Sequence, residues 1–120
     1  MADFTSQNHH LSAPEFLSQV RFNDAGLVPV IAQQFDSKQV LMMAWMTKQT
    51  LQETIETGRA CYWSRSRAAF WRKGDTSGHI QKVKSLELDC DGDTILMMID
   101  QTGAACHTGE ISCFYRTLTE

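Results

Sequence analysis

Only two prolines and seven glycines interrupt the 120 residues, too few for a proline-rich linker, a collagen-like repeat or a low-complexity segment. No stretch approaches the ~18 consecutive apolar residues of a membrane-spanning helix, so no partner membrane is expected. The first ten residues lack a basic start followed by an apolar run, and a cytoplasmic protein is expected. Positive charge is scarce. Eleven Lys and Arg against fourteen Asp and Glu leave a formal charge of −3, which gives no general attraction to nucleic acid. Any polyanionic ligand must therefore be met by a local cluster. Also missing are the Cys-x-x-Cys knuckle of zinc ribbons and the His-x-Glu with Pro-Cys-x-x-Cys pattern of zinc deaminases.

What remains is an ordinary globular composition, 42% hydrophobic and 21% charged, with length for one domain and a modest core. We expect a flexible segment over 1–11 and a single domain over 12–120. Ser12 and Pro14 mark the start of a helix at 13–20 whose apolar face is Phe16, Leu17 and Val20. Two strands, 27–35 and 39–46, flank the polar turn Asp36-Ser37-Lys38. Thr47 caps a second helix, 48–57, with Leu51 and Ile55 on one face and Gly58 at its end. Further strands are expected at 60–64, 69–73, 79–89, 94–100 and 111–116. Too few helical crossovers exist for a parallel sheet, so the expected class is α+β, mainly antiparallel β with one or two helices.

The chemistry concentrates near the C-terminal end. Asp89-Cys90-Asp91-Gly92-Asp93, Ala105-Cys106-His107-Thr108-Gly109 and Ser112-Cys113-Phe114 combine three carboxylates, three thiols and an imidazole. Carboxylate oxygens suit Mg²⁺, and thiolates suit zinc. On an extended strand Asp89, Asp91 and Asp93 face one way and Cys90 the other. A solvated acidic turn is the alternative for the aspartates. An EF-hand is excluded, because Thr94 takes the place of the loop glycine and Asp100 that of the bidentate glutamate. Cys90, Cys106 and Cys113 make an open, catalytic three-ligand zinc site, or a closed structural one if His107 is the fourth ligand. In the open case His107 is the candidate base. Cys61 lies in an apolar run and reads as core.

Trp63, Ser64, Arg65, Ser66 and Arg67, with Trp71, Lys73, Ser77 and His79, form the local basic cluster. Arginines grip phosphate bidentately, hydroxyls add donors, and an indole can stack on a purine. The pattern fits a phosphorylated purine nucleotide; a solvated charged surface is the other reading.

Six ordered motifs carry a family resemblance: Gly26-Leu27-Val28-Pro29-Val30, Tyr62-Trp63-Ser64-Arg65-Ser66-Arg67, Trp71-Arg72-Lys73-Gly74, Ser77-Gly78-His79-Ile80-Gln81, Asp89 to Asp93, and Ala105 to Gly109 with Ser112-Cys113-Phe114. Over about 26–115 the chain resembles phosphoribosyl-AMP cyclohydrolase of histidine biosynthesis, in its monofunctional form. The resemblance implies an intertwined homodimer that opens the adenine ring of 1-(5-phosphoribosyl)-AMP at N1–C6 by attack of zinc-activated water. The product would be the formimino imidazolecarboxamide ribotide. It also implies Cys90, Cys106 and Cys113 as zinc ligands shared across the subunit interface, and Asp89, Asp91 and Asp93 as Mg²⁺ ligands. His107, or alternatively His79, would be the base. Trp45, Phe70 and Asp75 depart from the family pattern, which expects Tyr, Leu and Glu. Two rival functions are a zinc-stabilised interaction module and a deaminase of a related nucleotide.

Overall fold

The computed structural model describes residues 10–119; most of the expected flexible segment, residues 1–9, lies outside them. Ser12 caps α1 (Ala13–Gln19) through a reciprocal capping box with Glu15, so the orphan amides of the first turn are satisfied. Phe16 turns into the core, which Leu11 and Leu17 also reach. β1 (Val28–Gln34) and β2 (Val40–Met46) form the expected hairpin. α2 (Lys48–Thr57) starts at Thr47, whose hydroxyl accepts from the Thr50 amide, and stops at Gly58. β3 (Cys61–Ser64), β4 (Ala69–Arg72), β5 (Gln81–Leu88) and β6 (Ile95–Gln101) complete one six-stranded sheet in the order β4-β3-β2-β1-β6-β5.

The α+β class stands, but the sheet is mixed. Most neighbouring strands are antiparallel, whereas β1 and β6 run parallel, with Val30 opposite Ile95 and Gln34 opposite Ile99. No helical crossover is needed, because the β5–β6 hairpin adds as a unit to the free edge of β1. The sheet also curls on itself. Arg59 bridges Lys82, the Ala60 amide donates to the Gln81 carbonyl, and the Val83 amide to that of Gly58. The start of the last hairpin thereby meets the lead-in to β3.

Alternation places Val28, Val30 and Ala32 of β1, Met42, Ala44 and Met46 of β2, and Ile95, Met97 and Ile99 of β6 in a common buried cluster, as a period of two requires. Leu51 of α2 closes the cluster. One polar network lies within it. Tyr62 donates its hydroxyl to Gln81 Oε1, while Gln81 Nε2 reaches Gln101 Oε1 at 2.8 Å and Met42 Sδ at 3.2 Å. Both Tyr62 and Gln81 are fully buried. Tyr62→Phe should strand the glutamine carbonyl and lower unfolding free energy by about 1–3 kcal/mol; an unchanged denaturant midpoint would contradict this.

The strand expected at 111–116 does not form. The Cys113 amide donates to the Leu41 carbonyl at 2.7 Å, and the Ser112 hydroxyl to that of Val40 at 2.8 Å. No ladder follows. Leu41 sits at a bulge where β1 shifts register between Ala32 and Gln33, so its carbonyl is available to the incoming chain. Ile111, Phe114 and Tyr115 are left exposed; their apolar character imitated a strand.

Candidate active site

Three groups of functional side chains sit on this scaffold. The first is the turn joining β5 to β6. Instead of the expected extended backbone, the Gly92 amide closes a turn onto the Asp89 carbonyl, and the Asp89 amide pairs with the Thr94 carbonyl, both at 3.0 Å. Gly92 has φ +74°, and a Cβ there would lie 2.7 Å from the Gln19 carbonyl oxygen. Only glycine lets the turn fold back against the chain leaving α1. The Arg21 amide then donates to the Gly92 carbonyl.

As a result the aspartates converge by turning, not by alternating. Carboxylate oxygens of Asp89, Asp91 and Asp93 lie within 4.8 Å of one another, all exposed. Desolvation opposes ionisation of Asp89, but hydrogen bonds from the amides of Asp93, Thr94 and Gly92 and from the Asp93 side chain outweigh it and hold its carboxyl below the usual value. Asp93 is pushed up, chiefly through its side-chain hydrogen bond with Asp89 and then by burial and the neighbouring charges. Three carboxylates converging this closely repel one another, and a hard divalent cation relieves that repulsion, so the donor set fits Mg²⁺.

The second group is the thiols. The loop over 105–111 is tied by Ala105 to Ile111 and Cys106 to Glu110 amide–carbonyl bonds, with the Gly109 amide on the Cys106 carbonyl. This places the Thr108 hydroxyl 3.0 Å from Cys106 Sγ. That hydrogen bond, above all, draws the Cys106 thiol below its ordinary value. Burial, then the neighbouring Cys106, pushes Cys113 up. Cys90 is exposed in the acidic turn. Among the described residues the three thiols do not form a compact ligand set, the one such group being the aspartates. The register explains why. The turn precedes Ile95, level with Val30, whereas Cys113 is tied near Val40, which lies level with Met98 through Gln33. About 10 Å of strand separates those levels. Two soft donors at one end of the sheet and one at the other fit zinc only as an incomplete set within one chain. Cys61, read as core, is buried and pushed up to about 12, first by burial and then by Glu53.

The third group is a cleft of about 560 Å³ lined by Met43, Ala44, Trp45, Trp63, Ser64, Arg65, Ser66 and Trp71. β2 and β3 pair only at Trp45 and Trp63, and the β3–β4 hairpin tip diverges beyond that point. The structure therefore gathers five of the expected substrate residues, Trp63, Ser64, Arg65, Ser66 and Trp71. Arg67 stands beside them, its Nε 3.4 Å from Ser64 Oγ. Lys73 is buried, with Nζ 5.8 Å from the Trp71 ring centre. Burial depresses its ammonium, and the charges of Cys113 and Cys106 oppose that shift. The Ser77 hydroxyl accepts from the His79 amide at 3.1 Å. The His79 ring packs on Gly103, where a Cβ would come within 2.7 Å. His107 is exposed at the tip of its loop. Sequence reasoning missed Trp45 and Thr108 as site residues. The alternation of β2 carried a signal for Trp45, and the Cys-x-Thr spacing one for Thr108.

The cleft is walled by indoles, edged by arginine and serine and bordered by the buried Lys73 beside Trp71, a lining suited to a planar aromatic ligand that carries phosphate. A family profile described as Phosphoribosyl-AMP cyclohydrolase matches residues 42–115, a span that contains the cleft, the acidic turn and all four cysteines. The phosphoribosyl-AMP cyclohydrolase of Hydrogenovibrio crunogenus is 66% identical over 100 residues, 83% of this chain and 68% of its own length. That of Rhodospirillum rubrum is 68% identical over 96 residues, 80% and 67% respectively, and that of Acidiphilium cryptum 54% over 104 residues, 87% and 90%. The chain belongs to the phosphoribosyl-AMP cyclohydrolase family.

Proposed function

We propose that the chain opens the adenine ring of 1-(5-phosphoribosyl)-AMP at N1–C6, giving the formimino imidazolecarboxamide ribotide in histidine biosynthesis. The observation that carries this reading is the tryptophan-lined cleft edged by Ser64, Arg65 and Ser66, with the buried Lys73 ammonium 5.8 Å from the Trp71 ring centre. Arg65, Arg67, Ser64 and Ser66 meet phosphate at the hairpin tip, and indole faces orient the purine so that C6 points toward the thiol end. Cys90, Cys106 and Cys113 would hold zinc, which when bound lowers the pKa of a coordinated water toward neutrality. His107 takes a proton from the attacking water and returns it to N1 as the C6–N1 bond breaks, leaving the oxygen in the new carboxamide. His79, fixed against Gly103, is the alternative carrier. Asp89, Asp91 and Asp93 would hold Mg²⁺, whose charge offsets substrate phosphate.

The same reading makes the protein a homodimer in which Cys90 of one protomer joins Cys106 and Cys113 of the other. Two facts support it: the sheet keeps Cys90 away from that pair, and Val40, Ile111, Phe114 and Tyr115 leave apolar surface beside the Cys113 anchor. Unpaired thiols fit a reducing cytoplasm. Among the described residues no helix is long and apolar enough to cross a membrane.

The ultraviolet spectrum of 1-(5-phosphoribosyl)-AMP with zinc- and magnesium-replete protein tests the proposal. Purine absorbance should give way to that of the substituted imidazole without release of ammonia. Ammonia release would support a deaminase instead, and an unaltered spectrum with both metals bound would remove the hydrolase reading.

A further inference from the structure

All three tryptophans of the chain, on three different strands, line the same cleft. None is fully buried; each keeps a minor part of its surface open to solvent. Among the described residues the lining contains no carboxylate. A cation entering the cleft would therefore find π faces and no counter-charge. The free protein already shows this preference in use, for the Arg65 guanidinium lies 5.0 Å from the centre of the Trp45 ring, within the range of a cation–π contact.

We infer that Trp45, with Trp63, makes the cleft selective for a purine ring that carries positive charge, with Arg65 occupying that π face until the ring arrives. This rests on the proposed substrate, whose N1-substituted adenine is a delocalised, planar cation at neutral pH, while its phosphates are anionic. An acidic residue would bind the ring cation but repel the phosphates. Indole faces attract the cation through the ring quadrupole and leave phosphate recognition undisturbed. Arg65 is exposed on the hairpin tip beside Ser64 and Ser66, so on binding it moves from Trp45 to phosphate. The two planar cations exchange places. An uncharged adenine ring would stack without this gain and would not displace the arginine as well.

The test compares N1-methyl-AMP, which carries the ring cation, with AMP, which does not, by calorimetric titration of the metal-replete protein. At pH 7 the wild type should bind N1-methyl-AMP on the order of tenfold more tightly, and the preference should vanish at alkaline pH as the methylated ring loses its proton. Trp45→Leu should weaken both ligands through lost stacking but N1-methyl-AMP more, reducing the preference to about two- or threefold, and Trp45→Phe should restore part of it. Equal affinities in the wild type, or a preference that survives in both Trp45→Leu and Trp63→Leu, would overturn the inference. If a leucine variant fails to fold by circular dichroism, the pH dependence of the wild type still decides. Turnover of 1-(5-phosphoribosyl)-AMP without any charge preference would remove this inference alone; absence of ring opening would remove the proposed function.

Discussion

A mixture of Cys90→Ser and Cys113→Ser protomers, each inactive alone, should recover about a quarter of wild-type turnover after dissociation and reassociation, because random pairing in a symmetric dimer makes half the dimers hybrids with one intact site. Each single variant should lose roughly a thousandfold in activity with its zinc. The expectation follows from the sheet. Cys90 precedes β6, and Cys113 is tied to Leu41 near the other end of the strands, so the proposed three-thiol set would be drawn from two chains. Were all three ligands drawn from one chain, every site in the hybrid would carry a lesion and nothing would recover. Zinc analysis distinguishes the cases independently: the hybrid preparation should hold about a quarter of the wild-type metal if the site is shared, and almost none if it is not.

The acidic turn gives the second large effect. Gly92→Ala should damage both the fold and the cation site, since a side chain at φ +74° is strained and its Cβ meets the Gln19 carbonyl oxygen. A cost of about 1–3 kcal/mol is expected from backbone strain, with the clash adding to it. Asp91→Asn separates the two consequences. Asp89 Oδ1 accepts the Asp93 and Thr94 amides at 3.0 and 3.3 Å, so it is Asp89 that holds the turn, while Asp91 is free to serve a cation. Asp91→Asn should keep the melting temperature and weaken Mn²⁺ binding, used as a probe for Mg²⁺, at least about a hundredfold. Unchanged Mn²⁺ affinity in that variant would reduce the three aspartates to a solvated turn. A fall in melting temperature for Asp91→Asn as large as that for Gly92→Ala would show that metal and fold cannot be separated here.

Local signals in the chain were sufficient wherever a residue acts on its own neighbours. Thr47 and Gly58 bound α2 because a cap hydroxyl and a left-handed terminus are short-range devices. The β1–β2 hairpin and the buried alternation of Val28, Val30 and Ala32 are local in the same sense. The residues at 111–116 misled for a physical reason. Ile111, Phe114 and Tyr115 carry the apolar character of a strand, yet only Ser112 and Cys113 find backbone partners, at the bulge beside Leu41. An apolar run does not reveal whether its partner is a neighbouring strand or a surface left open.

The candidate site divides along the same line. Donor chemistry was legible, since carboxylates, thiols and the Ser-Arg-Ser-Arg cluster declare their ligands by composition alone. How they meet was not. Sequence order placed Cys90 among the aspartates and assumed a strand there, whereas the turn at Gly92 makes the carboxylates converge. The amino-acid sequence by itself determined the family, the two helices and the inventory of reactive side chains. Tertiary structure alone decided that β1 and β6 run parallel, that Cys90 and Cys113 stand at opposite ends of the sheet, and that Trp45 joins Trp63 and Trp71 around one cleft. Pairing between distant strands is fixed by the burial of a whole face, a property of the assembled sheet that no local segment contains.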